Sequence, residues 1–578
     1  MIRFVVNDIE IKLPDDFSIP LKFKNPMFHE TGSHSLNGNL PNIPSVAKAF
    51  GFPYKIERKD QLAESFDFFV EEEEERFMYG TLRIKSVTEK YITIYLLIDK
   101  GSFNYAVGDT KLNEIDTGGI RDIGVDYLAA KDYYKTVAEG SQVDFDFAIF
   151  PIWNSSLFDD YTPLENRWKN YRDVVNNWQE HSIYGWGFHI ENFGFTPFPY
   201  LGFTIDKLFK HIGYSVNKNP FVTDDDFKEL CIYNIFTQIE KLWDGIGFVY
   251  DAKNDIDLSN NLPRVRIKDF LTGIRRYLAV EFFINNDNNS VEWLHWNDIL
   301  DSTEYEDISH ITNPKLIISE EVISGITLSA QNDGADSYYS ENVLSLKELN
   351  EQDSVYTYAS LPTTGNEPND YRLVENTNKI YIWLADPYDT PDRWIDYSYY
   401  LHNYVDGDGS YPIDSSVDTL LMNRMEHTWM ASPPKTWLIP VTAQKGNCDA
   451  VYNYNNNPAT VRLLFYRGMF EDLAGDEYPL GTSSIYEYSA AKIATANLDL
   501  NANGEYGRHE KLFKKHDYWL KNIKREAKSD TKWTASHIKN LKWYRKQRID
   551  GNNYLVSEID ARFTNKGIVP EKTILFKC

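Results

Sequence analysis

Cysteine is scarce in this sequence, and long apolar runs are absent from it. The 578 residues include three cysteines, Cys231, Cys448 and Cys578, an odd number without the spacing of a metal site. This excludes a disulfide scaffold and favours a reducing cytosol. The best apolar run, Tyr91 to Ile98, covers eight residues, whereas a transmembrane helix needs about 20. The first residues lack the apolar block of a signal peptide, so we expect a soluble protein without a targeting signal.

The motifs of common catalytic and nucleotide-binding sites are missing as well. The sequence has no GxxxxGK[ST] loop for phosphates, no GxGxxG after a strand and no GxSxG elbow. The 86 Asp and Glu residues allow a carboxylate pair for glycoside hydrolysis to be imagined, but nothing selects two of them. We therefore predict no catalytic residue, no cofactor-binding residue and no metal ligand, and a protein that is not an enzyme.

Positively charged residues are also fewer than negatively charged ones. Sixty Lys and Arg residues face 86 Asp and Glu residues, which gives a net charge of −26. A field of this sign repels phosphates, so we do not expect the whole surface to bind DNA. What the sequence has in excess is aromatic residues, at 15%. They favour strands and carry interface energy, which is typical of a large β-rich protein; extensive subunit contacts or a sugar-binding surface remain open alternatives.

Length and pattern divide the chain into four predicted domains, because about 150 residues per domain is typical. Residues 1–140 are predicted to be strands, 141–345 an α+β domain with short helices and hairpins, 346–475 a β-rich domain with long loops, and 476–578 a helix pair and a closing β-hairpin. The fold class is therefore a multidomain, β-rich α+β protein.

Local patterns predict particular elements. Period-two alternation on both sides of Glu89-Lys90 predicts a hairpin over 79–98. Thr204 is predicted to cap a helix that reaches Ile212, and Thr223-Asp-Asp-Asp226 is predicted to open another through Leu230. A third helix is predicted over Ile267–Leu278, followed by strands at 280–284 and 291–294. The run Glu71–Glu75 is predicted to be a solvated turn or edge.

The last hundred residues have the clearest pattern. One helical face is predicted from Leu512 to Ile523, a second helical stretch from Ile538 to Tyr544, and a hairpin around Asp550-Gly551-Asn552. Between 505 and 550, fourteen Lys and Arg residues against six Asp and Glu residues give a local charge of +8. Such a basic segment indicates either a solvated helix pair or a surface that docks on an acidic neighbour.

Three short constellations could carry chemistry, and each has a simpler interpretation. His29-Glu30-Thr31-Gly32-Ser33-His34 places its histidines five apart, whereas a zinc-binding helix needs them four apart, so loop histidines are expected. Asp406-Gly-Asp408-Gly409-Ser410 lacks the closing glutamate of a calcium loop, so a polar turn is expected. Trp293, His295 and Trp296 could stack on a sugar, but core or interface packing is the preferred interpretation.

Four segments carry a family resemblance. They are Phe17-Ser-Ile-Pro-Leu21 with Ala49-Phe-Gly-Phe-Pro53, the strand Gly80-Thr-Leu-Arg-Ile84 with its hairpin partner, the central Gly202–Tyr214 with Leu230–Asn234 and Lys268–Leu271, and the ending Lys546–Val556. In this order the chain resembles the tail hub or baseplate proteins of bacteriophages, particularly the long, Tyr- and Asn-rich versions from phages and prophages of Bacteroidota.

The resemblance implies β-barrel-like tube domains at the two ends of the chain, with the last strands closing a barrel, and outer α+β and β-rich domains. It implies a structural virion protein without a catalytic centre, assembled in the bacterial host cytoplasm and located in the phage tail. It also implies a homo-oligomer, most often a trimer, around a central channel that DNA crosses without specific binding. The other partners would be tail, tube, tip or fibre proteins, and the basic segment would face an acidic partner subunit.

A second hypothesis belongs to another class. The aromatic and acidic composition also suits a carbohydrate-binding or carbohydrate-cleaving protein, such as a tail-associated depolymerase or a glycan-binding protein. The sequence shows no solenoid repeat, which a depolymerase would favour, and no signal peptide, which a secreted bacterial protein would need. Release of reducing ends from capsular or cell-wall glycan would separate the two hypotheses.

Overall fold

The fold is described from a computed structural model. It describes residues 2–53, 65–124, 127–141, 143–154, 174–181, 185–188, 195–243, 248–252, 255–286, 288–312, 317–319, 323–330, 336, 354–355, 358–363, 371–374, 379–384, 393–396, 404–405, 411–427, 435–444, 447–448, 460–472, 475–486 and 492–578. Within these ranges no helix is long and apolar enough to cross a membrane. The β-rich α+β fold class that the sequence predicts is confirmed.

Fourteen of the described strands form one large sheet, and most of them come from the two ends of the chain. In spatial order its main path runs through Ile9–Ile11, Ile2–Val6, Ser65–Glu72, Glu75–Val87, Tyr91–Ile98, His34–Ser35, Ser18–Lys24, Asn552–Thr564, Gly567–Lys577, Glu526–Ser529 and Ile317–Ser319. Three strands lie off this path: Gly38–Pro41 pairs with Tyr91–Ile98, and Tyr305–Asp307 pairs with Lys546–Ile549, which pairs with Asn552–Thr564. The sheet thus joins strands from the first, second and last predicted domains, whose boundaries remain predictions.

The predicted hairpin over 79–98 is confirmed within this sheet. Alternate residues of its two strands, such as Leu82 and Ile94, are buried on one face. The preceding run of glutamates also forms a turn, in which Glu73 and Glu74 have positive φ. Glu71 departs from the predicted solvated run, because it is buried and pairs with Arg3.

The large sheet curls so that its apolar face encloses a single core. Neighbouring strands lie about 4.8 Å apart, so the six steps from Ile2–Val6 to Asn552–Thr564 would span roughly 29 Å in a flat sheet. The rings of Phe4 and Phe563, on these two strands, have centroids only 5.8 Å apart. Both belong to one buried cluster that also includes Ile19. Two strands that lie six steps apart along the sheet therefore pack against each other, which shows that the sheet is curled.

A second core lies in what we call the central unit. It consists of the helices Leu201–His211 and Ile267–Leu278 and the strands Ser215–Lys218, Val280–Asn285 and Ser290–His295. The helix over 267–278 and the antiparallel strand pair that follows it confirm the sequence predictions. The helix ends because Ala279 adopts a left-handed conformation with φ of 51°, which turns the chain directly into the next strand.

Two predicted helix starts are wrong. Thr204 lies inside the first helix, which begins at Leu201, and its hydroxyl donates to the carbonyl of Tyr200. The Thr223–Asp226 run ends a short helix and does not open a long one; Asp224 accepts hydrogen bonds from the backbone of the following 3₁₀ turn, Phe227–Glu229. A strand starts at Leu230 because this segment pairs with Val461–Glu471.

Smaller sheets make up much of the remaining described chain. Their strands are Phe147–Ala148 with Phe198–Pro199; Val174–Val175, Ile152–Asn154, Lys435–Thr442 and Leu421–His427; Trp178–His181 with Gly185–Phe188; Leu230–Tyr233, Val461–Glu471, Val417–Thr419 and Glu477–Thr482; Phe236–Thr237 with Asn447–Cys448; Ile239–Trp243 with Phe248–Ala252; Asp255–Ile256 with Arg121–Asp122; Tyr404–Val405, Ile326–Ala330 and Tyr411–Ser415; and Ser354–Val355, Tyr371–Val374, Lys379–Leu384 and Arg393–Asp396. Other helices and 3₁₀ turns are Pro44–Ala49, Lys100–Val107, Leu112–Glu114, Tyr127–Glu139, Pro220–Thr223, Leu258–Asn261, Trp296–Asp301 and Tyr358–Ser360.

The C-terminal helices follow the predicted pattern in part. A helical segment runs from His509 to Ile523 with π-helical turns at both ends. The next helix, Ala535–Asn540, is capped by Thr534 and ends before Leu541, so the predicted stretch to Tyr544 is too long. The predicted hairpin is confirmed: Lys546–Ile549 pairs with Asn552–Thr564 across a turn in which Asp550 and Gly551 have positive φ.

Candidate functional site at the junction of the large sheet and the central unit

The first and last parts of the chain are held together by an antiparallel ladder. Ser18–Lys24 pairs with Asn552–Thr564 from Ser18 opposite Thr564 to Lys24 opposite Glu558. The Lys22 ammonium lies 2.7 Å from Glu558 Oε1 and 3.0 Å from Asp560 Oδ1. The ladder ends at Lys24, directly before the loop that carries Asn25 and Glu30.

Asn25 fixes the end of this ladder. Its side chain is fully buried, and its Nδ2 donates to the carbonyls of Trp543 at 2.9 Å and Val556 at 2.7 Å. Its Oδ1 accepts from the backbone N–H of Met27 at 3.0 Å. One amide group thereby satisfies three backbone groups that come from opposite ends of the sequence.

A buried cluster of charges connects the large sheet to the central unit. Arg275, on the last turn of its helix, donates from Nη1 to Glu30 Oε2 at 2.8 Å and from Nη2 to the carbonyl of Pro26 at 2.9 Å and to Glu281. Lys100 Nζ lies 3.6 Å from Glu281 Oε1. Glu281 is completely buried, so the cluster places two cations around one carboxylate that water does not reach.

The electrostatics of this cluster follow from burial and from the close charges. Burial, followed by the repulsion of Arg275, lowers the pKa of Lys100 to about 8. Burial opposes the ionisation of Glu30, but Arg275, Lys100 and Arg276 together outweigh it and lower the pKa of Glu30. The buried ion pairs therefore connect the large sheet to the central unit, and each charged group of the cluster has an oppositely charged partner within the protein.

The candidate histidines have separate surroundings. His29 Nε2 lies 3.1 Å from Ser557 Oγ, whereas His34 Nδ1 lies 2.9 Å from the carbonyl of Gly32. The residues of the possible calcium loop, 406–410, lie outside the described residues. In the part of the chain that is described, no group of three or more His, Cys, Asp and Glu side chains is placed to hold a metal ion.

The aromatic constellation is divided between two cores. Trp293 is completely buried in the central unit, with its ring centroid 5.3 Å from that of Phe221. Trp296 packs against Phe513 and His516 in a neighbouring cluster. The predicted core packing of these tryptophans is confirmed. Among the cysteines, Cys231 and Cys578 are free thiols.

The basic segment 505–550 has carboxylate partners within the chain. Lys521 Nζ lies 2.7 Å from Asp517 Oδ2, and Lys515 pairs with Asp301. Lys546 is buried and donates to the carbonyl of Leu300 at 2.6 Å. These groups use part of the positive charge within the chain; the solvated helix pair and docking on an acidic partner both stay predictions.

Sequence reasoning did not identify Lys100, Arg275 or Glu281. Charged residues are mostly exposed, and no local pattern shows which of them a distant segment will bury. The one available signal was the position of Arg275 on the helical face that also carries Leu271 and Leu278, and that spacing alone does not name its partners.

Comparison with known proteins adds little to this geometry. No family model matches the sequence, and no curated protein matches it. Among solved structures, the chain is similar to a crystal structure described as "prophage MuSo2, 43 kDa tail protein from Shewanella oneidensis", at 9% sequence identity and a TM-score of 0.31, over 100% of this chain and 98% of that chain. A similarity of that size assigns neither a fold nor a function.

Proposed function

We propose that this chain is a structural virion protein of a bacteriophage tail, a hub or baseplate component that oligomerises around a central channel. In this role it links the tail tube or portal-side rings to the tip or receptor-binding machinery during DNA ejection. The observation that carries the proposal is the convergence of the resembling segments. One curled sheet contains strands from Phe17–Leu21, Gly80–Ile84 and Lys546–Val556, although the last segment is hundreds of residues from the other two.

The remaining segment of the resemblance supports the same conclusion. Gly202–Tyr214, Leu230–Asn234 and Lys268–Leu271 meet in the core of the central unit, where Phe209, Leu230 and Phe270 are buried together. In the proposed assembly the curled sheet is the barrel-like tube layer, and the central unit lies outside it. The buried cluster of charges around Arg275 would transmit mechanical load between these layers, because Arg275 and Lys100 are buried and pair with carboxylates.

The charge of the chain suits passage of DNA. With a net charge of −26, a channel wall built from this protein repels phosphates and offers few ion-paired contacts. The proposed protein is not an enzyme. Its partners are copies of itself and other tail proteins.

The test is the absolute mass of the purified protein by light scattering at several concentrations, with particles imaged by negative-stain electron microscopy. Three copies of 67.3 kDa would give about 202 kDa and ring-shaped particles with a central hole. A six-fold mass would indicate an adaptor or short-tail ring. A strict monomer that releases reducing ends from capsular or cell-wall glycan would contradict the structural role and support the carbohydrate hypothesis.

A further inference from the structure

A cavity of about 350 Å³ lies between the large sheet, the central unit and the C-terminal segment 538–544. The strand Glu75–Val87 contributes one wall, and the strands Val280–Asn285 and Ser290–His295 contribute another. Its volume lies at the lower end of the range for small-molecule sites. The proposed tail role does not use this cavity.

Asp99 faces the cavity from a strained position. It follows the strand Tyr91–Ile98 with φ of 49° and ψ of −122°, a conformation that costs energy for any residue except glycine. Although it precedes the helix Lys100–Val107, its side chain makes no capping hydrogen bond to that helix. Burial raises the pKa of Asp99 to about 7. A strained, desolvated carboxyl group at the wall of a cavity is typical of a binding site.

Asn286 offers the complementary group. Its Oδ1 accepts a hydrogen bond from the Tyr214 hydroxyl at 2.9 Å. Its Nδ2 is buried and has no partner among the residues that the structure describes. Buried donors are nearly always satisfied in folded proteins. The cavity lining therefore includes Asn286, whose amide donor is unsatisfied, and Asp99, whose carboxyl group is an acceptor.

Aromatic side chains complete the lining. Trp543 and Tyr544 are half-buried at the cavity wall, and the Tyr544 ring meets Phe283 edge to face at 5.1 Å between centroids. The Tyr544 hydroxyl donates to Glu292 Oε2 at 3.0 Å, which orients both groups. Rings held in this way supply a rigid apolar surface beside the polar groups.

We propose that this cavity binds a short neutral saccharide. A sugar hydroxyl both donates and accepts, so it matches the donor of Asn286 and the acceptor of Asp99 together. The C–H faces of a pyranose ring match the rings of Trp543 and Tyr544. Phosphates and other anions are disfavoured, because Asp99 and Glu292 are the half-buried charges of the lining and the lysines, Lys539 and Lys542, are exposed. The inference holds whatever the oligomeric state of the protein.

The test uses the full-length protein with methyl glycosides of glucose, galactose, mannose and N-acetylglucosamine, and with methyl glucuronide as a charged comparison. Binding is measured by saturation-transfer NMR and by titration of tryptophan fluorescence. We expect saturable binding of at least one neutral glycoside. Binding should be severalfold weaker in Asp99→Asn, because an amide oxygen is a weaker acceptor than a carboxylate. It should be lost in Tyr544→Ala and largely restored in Tyr544→Phe. Asp99→Asn keeps the size and shape of the side chain and leaves the backbone strain at residue 99 as it is, so we expect this variant to fold.

Asp550→Asn is the matched control, because Asp550 has a similar φ of 48° but lies in the exposed C-terminal turn. It should bind as the unaltered protein does. Three results would overturn the proposal: no saturable binding of any neutral glycoside at millimolar concentrations, equal binding by Asp99→Asn, or a preference for the glucuronide. None of them bears on the mass measurement that tests the tail role.

Discussion

Replacement of Arg275 by alanine should destabilise the junction between the large sheet and the central unit. Arg275 is 3% exposed, and its guanidinium donates hydrogen bonds to Glu30, to Glu281 and to the carbonyl of Pro26. Its loss would leave the fully buried Glu281 with Lys100, 3.6 Å away, as its remaining cation. The carbonyl of Pro26 would lose a partner at the same time.

The expected cost follows from the environment of the pair. Removing one partner of a buried ion pair typically costs about 3 to 5 kcal/mol, because the other charge stays buried. We expect the lower end, about 3 kcal/mol, since Lys100 still compensates Glu281. In a domain of 150 to 250 residues this corresponds to a fall of roughly 6 to 12 °C in melting temperature. The double variant Arg275→Met/Glu281→Met should not recover the loss, because the buried Lys100 ammonium would then lack the carboxylate that lies 3.6 Å from it.

The neighbouring residue provides the control. Arg276 binds the same carboxylate, with Nη2 at 3.2 Å from Glu30 Oε1, but its side chain is 37% exposed. Arg276→Ala should cost about 1 kcal/mol or less, as exposed ion pairs do. Melting is followed by differential scanning fluorimetry, and hydrogen exchange of residues 25–31 reports whether the junction itself opens. Equal melting temperatures for Arg275→Ala and Arg276→Ala would refute the reasoning.

Three further predictions concern other parts of the structure. Asn25→Ala should lower the free energy of unfolding by about 1 to 3 kcal/mol, because it leaves buried backbone groups without partners. A lower midpoint of urea unfolding would show this loss. Burial lowers the pKa of His516 from 6.5 to about 3, so the unfolded chain binds a proton that the folded one does not, and stability falls as pH drops from about 6.5 toward 3. His516→Phe should weaken that loss, seen as a smaller difference in melting temperature between pH 7 and pH 4. A Cβ at Gly481 would overlap the ring of Phe150, so Gly481→Ala should lower the melting temperature by the equivalent of about 1 to 3 kcal/mol.

Elements with a strong local pattern could be predicted from the sequence. The hairpin over 79–98, the helix Ile267–Leu278 and the C-terminal turn at Asp550-Gly551 each depend on residues within a few positions of one another. In such cases hydrophobic periodicity and turn chemistry determine the structure. The α+β class follows from the same patterns.

Local signals failed where distant strands compete for the same residues. The Thr223–Asp226 run satisfies the pattern of a helix start, yet the following residues join a strand because Leu230–Tyr233 pairs with a segment more than 200 residues away. Thr204 also satisfies that pattern, but the helix already begins at Leu201, directly after the strand Phe198–Pro199. The buried cluster of Arg275, Glu281 and Lys100 depends on the same kind of distant contact, so the sequence alone could not show that these residues lie together.

The closure of the large sheet bears most directly on the predicted domain division. The sequence predicts that residues 1–140 form a separate N-terminal domain, but the apolar face of this segment packs against Ile559, Phe563 and Leu575 from the C-terminal end. A fragment of residues 1–140 would expose that face and the unpaired edge of Ser18–Lys24. We therefore expect it to be unfolded or aggregated alone, and to gain a cooperative melt when it is co-expressed with residues 476–578. If the fragment 1–140 is monomeric and melts cooperatively by itself, the predicted domain boundary is correct. The ladder between Ser18–Lys24 and Asn552–Thr564 would then only join two domains that fold independently.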